Sequence, residues 1–108
     1  PYFMFRKSLL EKSGVFDEQL VQGADYDLAL RLAFNAKGLH LPINLGYYLN
    51  EVLGQSTKPN SKQPIERTVI ELRYNIRVLE PHLVPYTRSY DVGNIIVDEE
   101  KIPVSNYR

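Results

Sequence analysis

Two aspartates, Asp25 and Asp27, stand where the polar, glycine-containing start of GVFDEQLVQGADYDLALRL (residues 14–32) gives way to a run of helix formers. A carboxylate fixed at such a join can accept a proton from a nucleophilic hydroxyl, which is the work of a general base. It can equally accept backbone N–H bonds at the positive end of the helix, which is the work of a cap. Residues two apart on a helix point about 200° away from each other, so the two carboxylates do not face one substrate together. That geometry also disfavours a two-carboxylate hydrolase, whose acids must converge within about 5–10 Å. Asp27 lies four residues before Arg31, the spacing of a surface ion pair. On the residues alone, capping is the favoured role for Asp25, because acids at helix starts are routine.

The two histidines offer less. His40 falls in an apolar, strand-like run and His82 follows Pro81, a sequence separation that gives no reason to pair them. Eight tyrosines could stack on sugar rings, yet residues of this type mostly fill cores and rims.

The elements that must hold Asp25 in place follow from periodicity. Tyr2 to Phe5 is a short aromatic run expected to be a buried strand, and a short helix over Arg6 to Ser13 ends at Gly14. Ala24 to Ala36 is a helix with apolar residues around most of its circumference, so it is expected to be packed on more than one side. Leu39 to Pro42 and Leu45 to Leu49 are expected as two strands, followed by a loop over Gly54 to Pro64. A long amphipathic helix then runs from Pro64 to Leu79. Its apolar stripe is Ile65, Val69, Leu72, Ile76 and Leu79, with Glu66, Arg67, Glu71, Arg73 and Arg77 on the outer face. The stretch GNIIVDEEKIPV suggests a hairpin turning at Asp98-Glu99-Glu100.

A chain of 108 residues has room for one modest core. Thirteen basic residues balance thirteen acidic ones without clustering, which argues against an electrostatic nucleic-acid binder. Absence of cysteine removes disulfides, thiolate catalysis and Cys-based zinc sites. No apolar run approaches the roughly 18 residues of a membrane span, and no signal-peptide layout opens the chain. Because the sequence begins at Pro1 inside a strand-like run, it is expected to be a piece of something longer.

The segment Met4 to Gly38, MFRKSLLEKSGVFDEQLVQGADYDLALRLAFNAKG, resembles the acceptor-side segment of family 2 inverting glycosyltransferases of the GT-A fold. The features that carry the resemblance are Phe5 and Arg6, the turn Gly14-Val15-Phe16-Asp17-Glu18, and Ala24-Asp25-Tyr26-Asp27-Leu28 followed by Arg31. It extends more loosely to Tyr47-Tyr48 and Ser56, about half the chain.

The resemblance implies a mixed α/β fragment completing the acceptor side of a nucleotide-sugar transferase fold, with two main helices and short strands. Residues 1–80 would form the acceptor-side portion and residues 81–108 a C-terminal tail with the hairpin. It implies transfer of a sugar from a nucleotide-sugar donor to the hydroxyl of a glycan acceptor, with Asp25 as the catalytic base and Tyr26 and Arg31 binding substrate. It also implies a divalent cation, Mg²⁺ or Mn²⁺, in the complete enzyme, which would build a polysaccharide or glycan in the cytoplasm or at a membrane periphery. The metal-binding Asp-x-Asp and the nucleotide-binding half would precede Pro1, so the isolated chain is expected to be inactive and to self-associate through unpaired strand edges.

Two positions depart from the family pattern. Ala24 stands where a glutamate usually holds acceptor hydroxyls, and alanine can neither accept a hydrogen bond nor carry charge. The segment YYLNEVLGQST lacks the family's histidine; its Glu51 could offer oxygen to a hard cation, but a glutamate after a strand is ordinarily solvated, so no metal ligand is assigned. The substitution at Ala24 leaves a second expectation alive, a non-catalytic carbohydrate-binding or interaction module derived from the same fold.

Overall fold

The computed structural model describes residues 3–49, 54, 60–79, 89–91, 94–97 and 100–107. A 3-10 turn, Lys7–Leu9, runs into helix α1, Leu10–Ser13, and a second 3-10 turn, Val104–Asn106, lies near the C-terminal end of the described residues. Gly14 ends it at φ 76°, in the left-handed region where a β-carbon is costly. Helix α2 spans Ala24–Asn35, as the run of helix formers predicts. Helix α3 spans Gln63–Arg73 with Pro64 in its first turn, where the missing N–H costs nothing.

The single helix expected over Pro64 to Leu79 is two. At Asn75 the backbone turns to φ 56°, and a short α4, Ile76–Leu79, follows. Asparagine is among the few residue types that visit this conformation routinely, so the break sits where its cost is low.

Three short strands complete the fold: β1, Ser89–Asp91; β2, Asn94–Val97; and β3, Glu100–Pro103. They form one antiparallel sheet in the order β1-β2-β3, with Ile95 opposite both Tyr90 and Ile102. The expected hairpin is therefore present as β2 and β3, with Val97 opposite Glu100; Asp98 and Glu99 lie outside the described residues. Strand β2 lies against α3, and Ile95 is fully buried. The described residues thus mix helices with a small antiparallel sheet.

The core consists of Leu20, Leu28, Leu32, Val69, Ile70, Ile76 and Ile95. Its distribution reverses the expected roles of the two main helices. Helix α2 buries only Asp27, Leu28 and Leu32, and its Phe34 is exposed. Helix α3 touches both α2 and β2 and buries Glu66, Thr68, Val69, Ile70 and Glu71. The outer-face assignment of Glu66 and Glu71 is corrected: they are 1% and 0% exposed. A helix covered on two sides must bury part of its polar face as well as its apolar stripe, and periodicity alone assigns every charge to solvent.

The expected strands over Leu39 to Pro42 and Leu45 to Leu49 carry no ladder, nor do Phe3 to Phe5; Tyr2 lies outside the described residues. Leu39, Leu41, Ile43, Leu45, Tyr47 and Leu49 keep the alternation of a strand, and all are exposed. An alternating run becomes a strand only when a neighbouring edge exchanges hydrogen bonds with it. Among the described residues none does.

Candidate functional site

The first turn of α2 is held by a residue far away in sequence. Glu66, on α3, accepts three consecutive backbone N–H bonds from the loop that enters α2. Val21 donates to Oε1 at 2.7 Å, and Gln22 and Gly23 donate to Oε2 at 2.6 Å each. Burying a carboxylate is expensive unless its lone pairs are satisfied, and three charge-assisted bonds do that here. Gly23 is the N-cap, with no side-chain bond of its own, and its carbonyl accepts the first intrahelical bond from Asp27.

Gly23 also explains how closely the loop approaches α3. A β-carbon there would lie 2.9 Å from Ile70 Cδ1 and 3.2 Å from Glu66 Cβ. Gly23→Ala is expected to destabilise the chain by about 1–3 kcal/mol through overpacking. A urea midpoint unchanged from the wild type would show that the loop yields without cost.

Asp27 is the centre of a buried polar knot. Its carboxylate is fully buried and pairs with Arg31 at 2.9 Å and with Arg73 at 3.0 Å, and it accepts the Tyr74 hydroxyl at 2.7 Å. The expected Asp27–Arg31 pair therefore forms, but inside the protein instead of on its surface. Arg31 then reaches back to the Gly14 turn: Nη1 donates to the Ser13 carbonyl and Nη2 to the Val15 carbonyl, both at 2.6 Å. Each of its three nitrogens is thus engaged within the chain.

Arg73 extends the knot to Asp17, at 2.8 Å, and Asp17 also accepts the Gln19 N–H at 3.0 Å. Burial acts to raise the Asp17 pKa, but the Gln19 N–H and the Arg73 guanidinium outweigh it and hold the carboxyl below its ordinary value of 3.8. A depressed folded pKa contributes stability above the unfolded value that disappears as pH falls through the folded one. Asp17→Asn is therefore expected to lower Tm at neutral pH, with the gap from wild type closing as the pH falls below about 4. A gap of constant size across an acid titration of Tm would refute the linkage.

Asp25 contrasts with both neighbours in the motif. It sits in the first turn of α2, is exposed, and accepts one bond, from the adjacent Tyr26 N–H at 2.8 Å. Among the described residues it makes no ion pair. It is not the N-cap either, since Gly23 holds that position and Glu66 supplies the acceptor oxygens beside it.

Asp25 lines a cleft of about 210 Å³ between the start of α2 and α3, together with Gln22, Gly23, Tyr26, Gln63 and Arg67. Tyr26 forms part of the wall. The Arg67 guanidinium lies over its ring, 5.5 Å from the centroid, and is itself paired with Glu71 at 3.1 Å. Burial raises the Tyr26 pKa, the Glu71 carboxylate raises it further and Arg67 opposes, so the phenol stays protonated at neutral pH. Its buried hydroxyl has no hydrogen-bond partner among the described residues. A larger but more open depression beside Lys7, Ser8, Leu10 and Glu11 lies away from this junction.

The structure thus brings Asp25 and Tyr26 to one cleft and turns Arg31 toward the Gly14 turn. Glu66, Gln63 and Arg67 are site residues that the sequence pattern does not single out. Glu66 looks like an ordinary acid in a helix first turn, because its partners lie 43 to 45 residues earlier.

No group of three His, Asp or Glu side chains that could hold a metal ion comes together among the described residues. Glu51, Ser56 and His82 lie outside them, and His40 is exposed with no metal-ligand cluster around it. No described helix is long and apolar enough to cross a membrane. Comparison with protein-family models, with curated proteins and with solved structures finds no match for this chain.

Proposed function

We propose that the chain is the acceptor-side portion of a family 2 inverting glycosyltransferase of the GT-A fold, with Asp25 as the general base. One observation carries this assignment. Of the three aspartates in the motif segment, Asp17 and Asp27 are held by arginines, whereas Asp25 is exposed at the edge of a cleft with its carboxylate available to a ligand. In the reaction an acceptor hydroxyl lies in the cleft and gives its proton to Asp25. Its oxygen forms the new bond to the anomeric carbon of the donor, and the nucleotide diphosphate leaves with the electron pair from the opposite face, inverting the configuration. Tyr26, Gln63 and Arg67 shape the acceptor side, and Arg31 acts by holding the Gly14 turn to α2.

The nucleotide-sugar donor and the divalent cation are proposed to be held by another part of the complete enzyme. The cation, when bound, would neutralise charge on the departing diphosphate. On its own the chain is proposed to be inactive and to self-associate through its exposed alternating apolar run, residues 39–49.

The deciding experiment is nucleotide-sugar turnover by the full-length protein with and without Asp25→Asn. A second assignment, a non-catalytic carbohydrate-binding module, is favoured by Ala24, which brings no polar atom to the start of α2 beside Asp25. It predicts glycan binding by the wild type with no turnover at all.

A further inference from the structure

The cleft has two walls that belong to distant parts of the chain. Gln22, Gly23, Asp25 and Tyr26 come from the loop and first turn of α2, and Gln63 and Arg67 come from α3. Glu66 lies between Gln63 and Arg67 in sequence, and its carboxylate crosses to the opposite wall to bind the N–H groups of Val21, Gln22 and Gly23. A second tie runs beside it: the Ser61 hydroxyl donates to Gln22 Oε1 at 2.9 Å and accepts the Gln63 N–H at 3.3 Å. Asp25 follows Gly23 by two residues, so the place where α2 starts decides where its carboxylate points.

We propose that Glu66 is the positioning residue for Asp25, a buried clamp that sets both the start of α2 and the width of the acceptor cleft. This rests on the assignment of Asp25 as the base. Three successive N–H groups turned toward one point form an anion-binding nest, filled here by the chain's own side chain instead of a ligand. A carboxylate suits the nest because both oxygens accept. Glutamine has nearly the same shape but presents an amide N–H₂ in place of one oxygen, so at least one of the three bonds must break and the loop must move. General-base catalysis is sensitive to such movement, since a misplacement of about 1 Å can cost about 100-fold in rate.

The test compares Glu66→Gln and Glu66→Asp in the full-length protein, with Val69→Ala as a control. Val69 lies on the same helix, is buried, and is neither one of the residues that line the cleft nor a partner in the Glu66 hydrogen bonds. Glu66→Gln is expected to lower kcat by about 10-fold or more while leaving the donor KM within about twofold. Glu66→Asp keeps the charge but is one methylene shorter, so it should recover part of that loss. Val69→Ala is expected to lower Tm with kcat within about twofold of wild type, which separates positioning from general loss of stability.

If Glu66→Gln does not fold, Glu66→Asp decides on the same criterion. A folded Glu66 variant with wild-type kcat overturns the clamp. Equal kcat losses in Val69→Ala and Glu66→Gln at matched Tm overturn it as well. Asp25→Asn assayed in parallel keeps the two ideas apart. An active Asp25→Asn refutes the base assignment, whereas an inactive Asp25→Asn beside a fully active Glu66→Gln refutes the clamp alone.

Discussion

Asp25→Asn in the full-length protein is expected to lower kcat by about 100-fold or more, the usual worth of a positioned general base. Donor binding should survive, because the nucleotide contacts are proposed to belong to another part of the enzyme. The substitution is nearly isosteric. Asparagine keeps an oxygen that can accept the Tyr26 N–H, the one bond the Asp25 side chain accepts among the described residues. Since Asp25 is exposed and makes no ion pair among the described residues, the variant chain should keep its stability within about 0.5 kcal/mol. A loss of turnover without a loss of Tm therefore assigns the effect to chemistry. Turnover within about twofold of the wild type would return Asp25 to an ordinary first-turn acid.

Capping, the ordinary role of an acid at a helix start, falls to Gly23 with Glu66 supplying the acceptor beside it, a partner that the sequence around Asp25 does not show. The starts of α2 and α3 were legible because both carry strong helix formers behind start signals, whereas the break at Asn75 was not; the β2–β3 hairpin was legible because its apolar residues flank an acidic stretch. The burial of those helices was not. An apolar circumference on α2 suggested a central helix, but Phe34 is exposed, its ring centroid 5.9 Å from that of Tyr74. The one-sided stripe on α3 suggested a surface helix, yet Glu66 and Glu71 are among the most buried side chains. Periodicity reports which residues share a face; it does not report that a distant loop will bring three N–H groups to a glutamate. The run from Leu39 to Leu49 shows the complementary limit, since its alternation is clear while the strand depends on an edge that the sequence of the run does not contain.

Asp27→Asn is expected to do the reverse of Asp25→Asn, although the two residues are separated by one position. Asp27 is fully buried and joins Arg31, Arg73 and the Tyr74 hydroxyl. Removing its charge leaves two guanidinium groups near each other with no carboxylate between them, and turns an amide N–H₂ toward one of these guanidinium groups, which can only donate. Breaking a buried ion pair by removing one partner costs about 3–5 kcal/mol. Arg31 and Arg73 keep 20% and 23% of their side-chain surface in solvent, which moderates the penalty. A loss of about 3 kcal/mol is therefore expected, equivalent to a fall in Tm of roughly 15 °C for a domain of this size. Thermal denaturation of the isolated chain measures it without any enzymatic activity. The consequence should spread to α1, because Arg31 also holds the Ser13 and Val15 carbonyls and is oriented by Asp27. Amide exchange in the Gly14 turn is expected to accelerate in Asp27→Asn and to stay at the wild-type rate in Asp25→Asn. A Tm for Asp27→Asn within about 3 °C of wild type would mean that the arginines find solvent at little cost, and that the buried knot contributes far less to stability than its geometry implies.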